Sequence, residues 1–317
     1  MPSMNDIRPE RTIVVGTRQS ALALTQTGQV IEALERIAVK QGLPYRFEIR
    51  RIVTKGDRIL DVTLSKVGGK GLFVKEIEQA LIDGDIDLAV HSMKDVPHAL
   101  QEGLAIGAVP KRVDPRDALI AADAKSIAEL PQGAKVGTSS LRRACQLKRI
   151  RPDLRLESIR GNIDSRIRKL ETEGFDAIIL AMAGLTRMGW EDRASAPIPA
   201  DDCVPAVGQG ALGIECRESD EAVRDLLALY NDGETALAVE AERSFLGALN
   251  GGCQVPIGAY ATVRGSEVTL TGMVGSPDGE TLLKETMAGM DAAALGRRLA
   301  KALSARGADR ILAEARG

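Results

Sequence analysis

A tetrapeptide suited to acid–base chemistry follows an apolar run in the first third of the chain. Ser92-Met93-Lys94-Asp95 comes directly after Asp87–His91, which has the pattern of a buried strand. Ligands of open α/β sheets bind beyond the carboxyl ends of the strands, where this tetrapeptide is expected to lie. Asp95 beside Lys94 is most commonly a surface ion pair. In a cleft, however, Asp95 is the best candidate in the chain for a general acid or a cation-stabilising carboxylate.

Cationic and hydroxyl side chains recur where a predicted strand passes into a predicted helix. At the first junction Ser20 can cap the helix, and Arg18 with the free N–H groups would form an anion site; the alternative is a capped helix with a solvated arginine. At a later junction Arg142 and Arg143 can grip carboxylates bidentately. The further members of this set are Thr138, Ser140, Arg160, Arg166 and Arg187. Cations at successive strand ends predict a site for an anionic ligand.

Two glycine-rich segments are further candidates. Lys66 and Lys70 lie in KVGGKG, which lacks the P-loop pattern and is either a mobile loop that contacts an anion or an ordinary surface loop. Gly251-Gly252-Cys253-Gln254 ends a predicted helix. A lone cysteine is most often a small buried side chain. Between glycines and a turn at Val255-Pro256, however, Cys253 is a candidate point of covalent attachment.

The charge of the chain is nearly balanced overall but uneven along the sequence. The formal net charge is −2, whereas the segment from Lys135 to Lys169 is strongly basic and only Asp153, Glu157 and Asp164 oppose it. A local excess in a near-neutral protein indicates an anion site. Aromatic residues make up only 3% of the chain. Both facts disfavour a nucleic-acid-binding protein, which is typically basic and offers aromatic stacking platforms.

The cysteines, histidines and apolar runs argue for a metal-free protein of a reducing compartment. The four cysteines form no CxxC pair, and His91 and His98 lack the HExxH spacing. We therefore expect reduced thiols and no metal site. No apolar signal region precedes Arg11, and the longest apolar stretch, near residues 177–185, is too short to cross a bilayer. These features predict a cytoplasmic protein without a membrane partner.

Strand and helix patterns alternate through the first two-thirds of the chain, which predicts α/β structure with parallel strands and crossover helices. After Gly258 the pattern changes to alternating strands with turns, as in an antiparallel sheet, followed by an alanine-rich helix. We expect two doubly wound α/β domains and a smaller α+β domain. The predicted bounds are 1–110 with 208–228, then 111–207, then 229–317. Proline and charged residues near 109–117 and 201–207 are typical of hinges between domains. The GxGxxG match at 208–213 precedes a strand, which predicts a tight turn and not a dinucleotide-binding site.

Together these motifs resemble the porphobilinogen deaminase family, also called hydroxymethylbilane synthase. The stretches that carry the resemblance are Thr17-Arg18-Gln19-Ser20, KVGGKGLF from Lys66, VHSMKDVP from Val90, VGTSSLRR from Val136, Arg160-Gly161-Asn162, PAVGQG from Pro205 and GGCQVPIG from Gly251. They occur in order along essentially the whole chain, although the segment after Gly265 matches only loosely. The resemblance implies two domains that are similar to periplasmic binding proteins, and a transferase of tetrapyrrole and haem biosynthesis.

The resemblance also implies a substrate, a cofactor and roles for single residues. Four porphobilinogen molecules lose ammonia and join into the linear tetrapyrrole hydroxymethylbilane, on a dipyrromethane cofactor held by a thioether at Cys253. Asp95 is implied as the catalytic carboxylate. The residues implied to hold cofactor carboxylates are Lys94, Thr138, Ser140, Arg142, Arg143 and Arg166. Those implied to face the incoming ring are Arg18, Ser20, Arg160 and Arg187, with Lys66 and Lys70 in a flexible loop.

Two other classes of protein remain as alternatives at this stage. An anion-binding solute receptor would have the same α/β clefts but would need no thiol adduct and would normally carry a signal peptide. A nucleic-acid-binding protein is disfavoured by charge and aromatic content. We expect a monomer whose partner is the small molecule porphobilinogen.

Overall fold

The computed structural model describes residues 11–58, 71, 73–252 and 255–316. The described strands form three sheets. Their bounds are β1 Arg11–Arg18, β2 Tyr45–Ile52, β3 Leu88–Ser92, β4 Leu104–Ala108, β5 Asp117–Ala121, β6 Lys135–Gly137, β7 Arg155–Glu157, β8 Ala177–Ala181, β9 Ala196–Ile198, β10 Leu212–Arg217, β11 Ile257–Arg264, β12 Glu267–Gly275 and β13 Leu282–Gly289.

Helices connect these strands and cover the sheets. Their bounds are α1 Ala21–Gln41, α2 Lys55–Arg58, α3 Lys75–Ile82, α4 Leu141–Ile150, α5 Ile163–Thr172, α6 Met182–Met188, α7 Glu221–Ala228, α8 Gly233–Ala248, α9 Ala292–Ala305 and α10 Ala308–Arg316. Short 3₁₀ turns occupy Met93–Asp95 and Glu191–Arg193. Within the described ranges, no helix combines the length and apolar character that a membrane span requires.

The first sheet has the strand order β2-β1-β3-β10-β4. β1 runs parallel to β2 and β3, whereas β10 runs antiparallel to both of its neighbours. The apolar runs of β1 and β3 are buried because helices cover the sheet, and Ile13, Val15 and Leu88 are fully buried in its core. β2 lies at an edge and is mostly exposed.

The second sheet has the order β7-β6-β8-β5-β9. Here β6 runs parallel to β7 and β8, and β5 runs antiparallel to β8 and β9. The parallel strands expected from the strand–helix alternation are present in both sheets, except that β5 and β10 run antiparallel to their neighbours. The chain enters each of these two strands after it has passed from one sheet to the other, and not after a helix packed on the same sheet. The rule that a strand–helix–strand unit has parallel strands therefore does not apply to them.

The third sheet is the antiparallel order β11-β12-β13, as the turn pattern after Gly258 predicts. α8 and α9 pack on it around the fully buried Phe245 and Leu299. The two helices approach closely because Gly296 carries no side chain: a Cβ there would lie 2.4 Å from the carbonyl oxygen of Ala241. The predicted fold class, two α/β units and a smaller antiparallel unit, is confirmed, while the exact domain bounds stay a prediction.

Glu242 on α8 ties the third unit to both crossings. Its carboxylate is fully buried and accepts hydrogen bonds from Arg112 Nη1 at 2.6 Å and from Nη2 at 3.1 Å. Arg112 lies in the first crossing, and the N–H of Gly208, in the second, donates to the same carboxylate at 2.7 Å. One buried carboxylate therefore contacts the first predicted hinge, at Arg112, and the residue directly after the second, Gly208.

Candidate active site

The turn that carries Asp95 begins where β3 ends, as expected for a group at the carboxyl end of a strand. Met93 anchors this turn: its side chain is 1% exposed, and its N–H donates to the carbonyl of Ala211 at 3.0 Å. Gly208 has φ +70°, and a Cβ there would lie 2.6 Å from Met93 Cγ, so the close approach requires glycine. Lys94 and Asp95 follow in half-buried positions.

Arg142 and Arg143 converge on Asp117, a carboxylate at the start of β5. Arg142 Nη1 lies 2.7 Å from Asp117 Oδ2, and Arg143 Nη2 lies 2.7 Å from Oδ1. Gln209 Nε2 donates to Oδ1 at 2.9 Å, and all these contacts are buried. The predicted bidentate grip on carboxylates thus exists, but its partner is a residue of the chain itself. These contacts use only part of the five N–H donors that each guanidinium carries.

Two hydroxyl groups organise the start of α4 beneath this pair. Ser140 caps the helix by accepting from the N–H of Arg143 at 3.4 Å, and Thr138 Oγ1 accepts from the N–H of Ser140 at 3.3 Å. Side-chain caps of this kind satisfy N–H groups that the first turn leaves without helical partners. The capping role sets the direction in which the helix, and so the two arginines, leave the sheet.

Arg166 stands at the next junction and lies in the same electrostatic neighbourhood as Asp95. Its Nε donates to the carbonyl of Gly161 at 2.7 Å. Burial, together with nearby Arg143 and Arg160, lowers the pKa of Arg166 to about 10, and Asp95 opposes the shift. The structure therefore brings these four charged groups together, although they come from different strand ends.

Lys94 belongs to this cluster as well. Burial is the main cause that lowers the pKa of Lys94 to about 8. Arg143 and Arg142 contribute to this shift, and Asp95 and Asp117 oppose it. We call Lys94, Asp95, Arg142, Arg143, Arg160 and Arg166 the charge cluster. Nearby arginines disfavour the charged forms of Lys94 and Arg166, and the carboxylates of an anionic ligand would favour them.

Three further predicted site residues have contacts outside the charge cluster: Arg18, Ser20 and Arg187. Arg18 forms an ion pair with Asp57, Nε to Oδ1 being 3.1 Å, and its guanidinium carbon lies 4.2 Å from the ring centroid of Phe73. Ser20 caps α1 by accepting from the N–H of Ala23. Arg187 is buried, which lowers its pKa to about 10, and it donates to the carbonyl of Gly210 at 2.8 Å.

Three predicted site residues, Lys66, Lys70 and Cys253, lie outside the described residues. The chain on either side of the cysteine is described up to Gly252 and from Val255. α8 ends at Ala248, and Asn250 takes the left-handed conformation with φ 49°. A Cβ at Gly251 would lie 2.5 Å from Leu246 Cδ1, so the turn out of the helix packs tightly against α8.

Asp117 and Gln26 were not singled out from the sequence. Gln26 Nε2 lies 3.0 Å from the Ser92 hydroxyl, at the end of the strand that leads to Asp95. Asp117 follows a crossing that already contains Asp114 and Arg116, so its charge does not stand out. The only signal is that it opens an apolar strand, where an unpaired carboxylate would be costly to bury.

Comparison with known proteins assigns the chain to a family. The family model described as porphobilinogen deaminase, dipyromethane cofactor binding domain, matches residues 13–225. The model for the porphobilinogen deaminase C-terminal domain matches residues 236–305. The chain belongs to the porphobilinogen deaminase family. The resemblance inferred from the motifs is confirmed, and so is the assignment to a family that carries a dipyrromethane cofactor.

Close relatives agree with the two family models along almost the whole chain. The porphobilinogen deaminase of Paenibacillus macerans is 61% identical over 318 residues, covering 94% of this chain and 98% of the relative. That of Halalkalibacterium halodurans is 58% identical over 304 residues, covering 95% and 96%. Among solved structures, a periplasmic substrate-binding protein from Coxiella burnetii has a TM-score of 0.44 at 14% identity, covering 73% of this chain and 96% of that one.

Proposed function

We propose that this chain deaminates porphobilinogen and joins four of these units head to tail into the linear tetrapyrrole hydroxymethylbilane. The observation that carries the proposal is the charge cluster, in which Lys94 and Arg166, from separate strand ends, lie within electrostatic range of the Asp95 carboxylate. Each pyrrole unit bears an acetate and a propionate group, so a growing chain adds negative charge at every step. A cleft of crowded cations suits such a ligand without any metal ion.

The cluster also fits the dipyrromethane cofactor of the family. Burial lowers the pKa of Lys94 and of Arg166, and nearby arginines add to both shifts, so carboxylates of a bound group would favour the charged forms of these two side chains. We propose that Cys253 holds the cofactor covalently as a thioether. The residues proposed to hold its carboxylates are Lys94, Thr138, Ser140, Arg142, Arg143 and Arg166. When bound, the cofactor supplies the pyrrole carbon from which the chain is extended.

Asp95 is proposed as the catalytic residue. Loss of ammonia from porphobilinogen leaves a cation whose charge spreads onto the pyrrole nitrogen. A carboxylate near that nitrogen stabilises the charge as it develops and can accept or return a proton. The half-buried position of Asp95 restricts water around it and strengthens this interaction.

The remaining assignments concern the approach of substrate. We propose that Arg18, Ser20, Arg160 and Arg187 face the incoming ring, and that Lys66 and Lys70 belong to a loop over it. In this proposal the ion pair between Arg18 and Asp57 is exchanged for one with a substrate carboxylate. Under the proposed bounds 1–110 with 208–228, 111–207 and 229–317, these groups come from the first two domains.

We further propose that the protein is a cytoplasmic monomer that binds no nucleic acid. The near-neutral charge supports the last point, since the formal net charge is −2. Light scattering of the purified protein tests the oligomeric state: a mass of twice the chain would contradict the monomer. Fractionation of cells that produce the protein tests the compartment.

The decisive experiment combines product analysis with intact mass. Protein purified from haem-competent cells is incubated with porphobilinogen, and ammonia and hydroxymethylbilane are measured. We expect turnover, a chain mass increased by two pyrrole units, and loss of both in Cys253→Ser. Cys216→Ala, at a buried thiol in the core of the first sheet, should keep both. An unmodified chain without ammonia release would favour the receptor or nucleic-acid alternatives.

A further inference from the structure

Arg243 on α8 holds the segment that directly follows Asp95. Its Nη1 donates to the carbonyl of Val96 at 3.1 Å, and its Nη2 donates to the carbonyls of Pro97 at 2.8 Å and His98 at 3.0 Å. Three consecutive backbone oxygens thus accept from one guanidinium. The planar donor array of arginine makes this arrangement specific, because a lysine ammonium lacks the fixed fork.

The segment has no regular secondary structure to fix it. From Val96 to Gly103 the backbone forms only bends and turns before β4 begins at Leu104. Without ladder or helix hydrogen bonds, its position depends on contacts such as those from Arg243. The position of Asp95, one residue before Val96, depends on the same contacts.

A second contact on α8 lies one helical turn beyond Arg243. A Cβ added at Gly247 would lie 2.4 Å from both Cδ2 and Nε2 of His98, so the His98 ring rests directly on the helix backbone. Gly247 is followed closely by the end of α8 at Ala248 and by the glycine turn that leads to Cys253. The same end of one helix therefore contacts the segment after Asp95 and, in the sequence, precedes Cys253 by a few residues.

The residue before Arg243 supports the other side of the turn. Glu242 accepts from the N–H of Gly208, and Gly208 in turn backs onto Met93, the first residue of the Asp95 turn. α8 therefore reaches the turn along two routes: through Gly208 to Met93 on one side, and through Arg243 to residues 96–98 on the other. Arg243 also donates weakly to the sulfur of Met93, at 3.7 Å.

We infer that Arg243 is a positioning residue for catalysis: it fixes the Asp95 carboxylate relative to the helix that leads to Cys253. The inference rests on the proposed role of Asp95. A group so placed affects the rate through the geometry of another residue, because small displacements of a catalytic group can reduce the rate by roughly 100-fold. Arg243 itself touches backbone carbonyls and contributes no atom to the reaction.

The test compares Arg243→Ala and Arg243→Lys with wild type, all as cofactor-loaded enzymes. Intact mass gives the loaded fraction, and kcat for porphobilinogen is expressed per loaded molecule. We expect normal loading, a kcat lowered roughly 10- to 100-fold in Arg243→Ala, and a KM changed less than about threefold. Arg243→Lys should recover only part of the loss. Arg298→Ala, which removes a donor to the carbonyl of Ala288 in the same unit, is the matched control and should keep wild-type kcat.

Two results would overturn the inference. One is a wild-type kcat per loaded molecule in both Arg243 variants, even if stability or loading falls, since that marks a purely structural role. The other comes from a cycle with Asp95→Glu: if Arg243 acts through Asp95, Arg243→Ala should cost much less in that background, and an equal cost would refute the coupling. Absence of turnover by wild type would instead count against the proposed function.

Discussion

Arg142 and Asp117 form an ion pair in the interior, with 2.7 Å between Nη1 and Oδ2 and side chains that are 5% and 0% exposed. Burial favours the protonated acid, but the charges of Arg142 and Arg143 outweigh it, and the pKa of Asp117 lies far below its usual range. The carboxylate therefore stays ionised and balances the positive charge of two arginines assigned to the anion site.

Replacing Asp117 by asparagine should destabilise the fold strongly. The Asp117→Asn variant leaves two buried guanidinium groups without their counter-charge, a change that typically costs about 3–5 kcal/mol. Denaturant unfolding measures the loss, and cofactor loading should fall with it. The control is Asp123→Asn, at an exposed position of the same unit, which should change stability by less than about 0.5 kcal/mol.

The same pair predicts a pH effect with a definite sign. Because the folded-state pKa of Asp117 is depressed, its contribution to stability is complete above the unfolded pKa of about 3.9 and is lost as the pH falls below that value. Wild type should lose more stability between pH 5 and pH 3 than Asp117→Asn does, on a scale of about 1 kcal/mol or more. Parallel stability curves for the two proteins would show that folding does not lower the pKa of Asp117.

Replacing Asp95 by asparagine should separate loading from turnover. Asn keeps the size of the side chain but cannot stabilise a cation by charge or accept a proton, so we expect kcat to fall roughly 100- to 10,000-fold. Intact mass should still show the bound cofactor. Asp83→Asn, at an exposed position after α3, serves as control and should retain activity. A normally loaded and fully active Asp95→Asn variant would refute the assignment.

Lys94 should titrate at an unusually low pH when no cofactor is attached. Burial lowers its pKa to about 8, so in Cys253→Ser its side chain should lose a proton well below the usual value of about 10.4. Carboxylates of the bound cofactor favour the charged form and should raise the pKa in the loaded enzyme. NMR of ¹³C-lysine protein, with the signal assigned by Lys94→Arg, measures both values, and equal values would place Lys94 away from the cofactor.

That shift also has a consequence for stability. Between pH 8 and pH 10 the unfolded chain binds more protons at Lys94 than the folded chain does. The contribution of Lys94 to stability therefore rises with pH over that window. The increase of stability with pH that arises from Lys94 should be smaller in the cofactor-loaded enzyme.

Three cysteines should resist alkylation in the folded protein. Cys145, Cys203 and Cys216 are fully buried, and burial raises the pKa of Cys145 to about 12 and that of Cys216 to about 11. Because the thiolate is the reactive form, iodoacetamide at pH 8 should label none of them until denaturant is added. Peptide mass spectrometry reads each site separately. Rapid labelling of Cys145 without denaturant would show that the interface between α4 and β12 opens.

Local chemistry allowed parts of the fold and site to be predicted from the sequence. Ser20 and Ser140 occupy helix starts because their hydroxyls satisfy free N–H groups, and this preference needs no tertiary information. The turn bearing Asp95 could be placed at the end of β3 for a similar reason, since a short apolar run followed by polar residues indicates where a buried strand ends.

Contacts between distant segments could not be predicted in this way. Asp117 gains its importance from Arg142 and Arg143, and nothing in the local pattern of β5 indicates that pairing. Arg243 looks like any polar residue of an amphipathic helix, because its partners at residues 96–98 are far away in sequence. Such pairings follow from tertiary packing, which periodicity and propensity do not encode.

The placement of β10 between β3 and β4 has a consequence for the order in which a ribosome supplies the strands. Every strand of the second sheet, from β5 to β9, leaves the ribosome before Leu212 does. Until then β3 has no neighbour at the edge where Gly213 pairs with His91, and Met93 has no Gly208 behind it. During translation the second sheet can therefore form completely before β10 is synthesised. The first sheet then still lacks the strand beside the residues that later support Asp95.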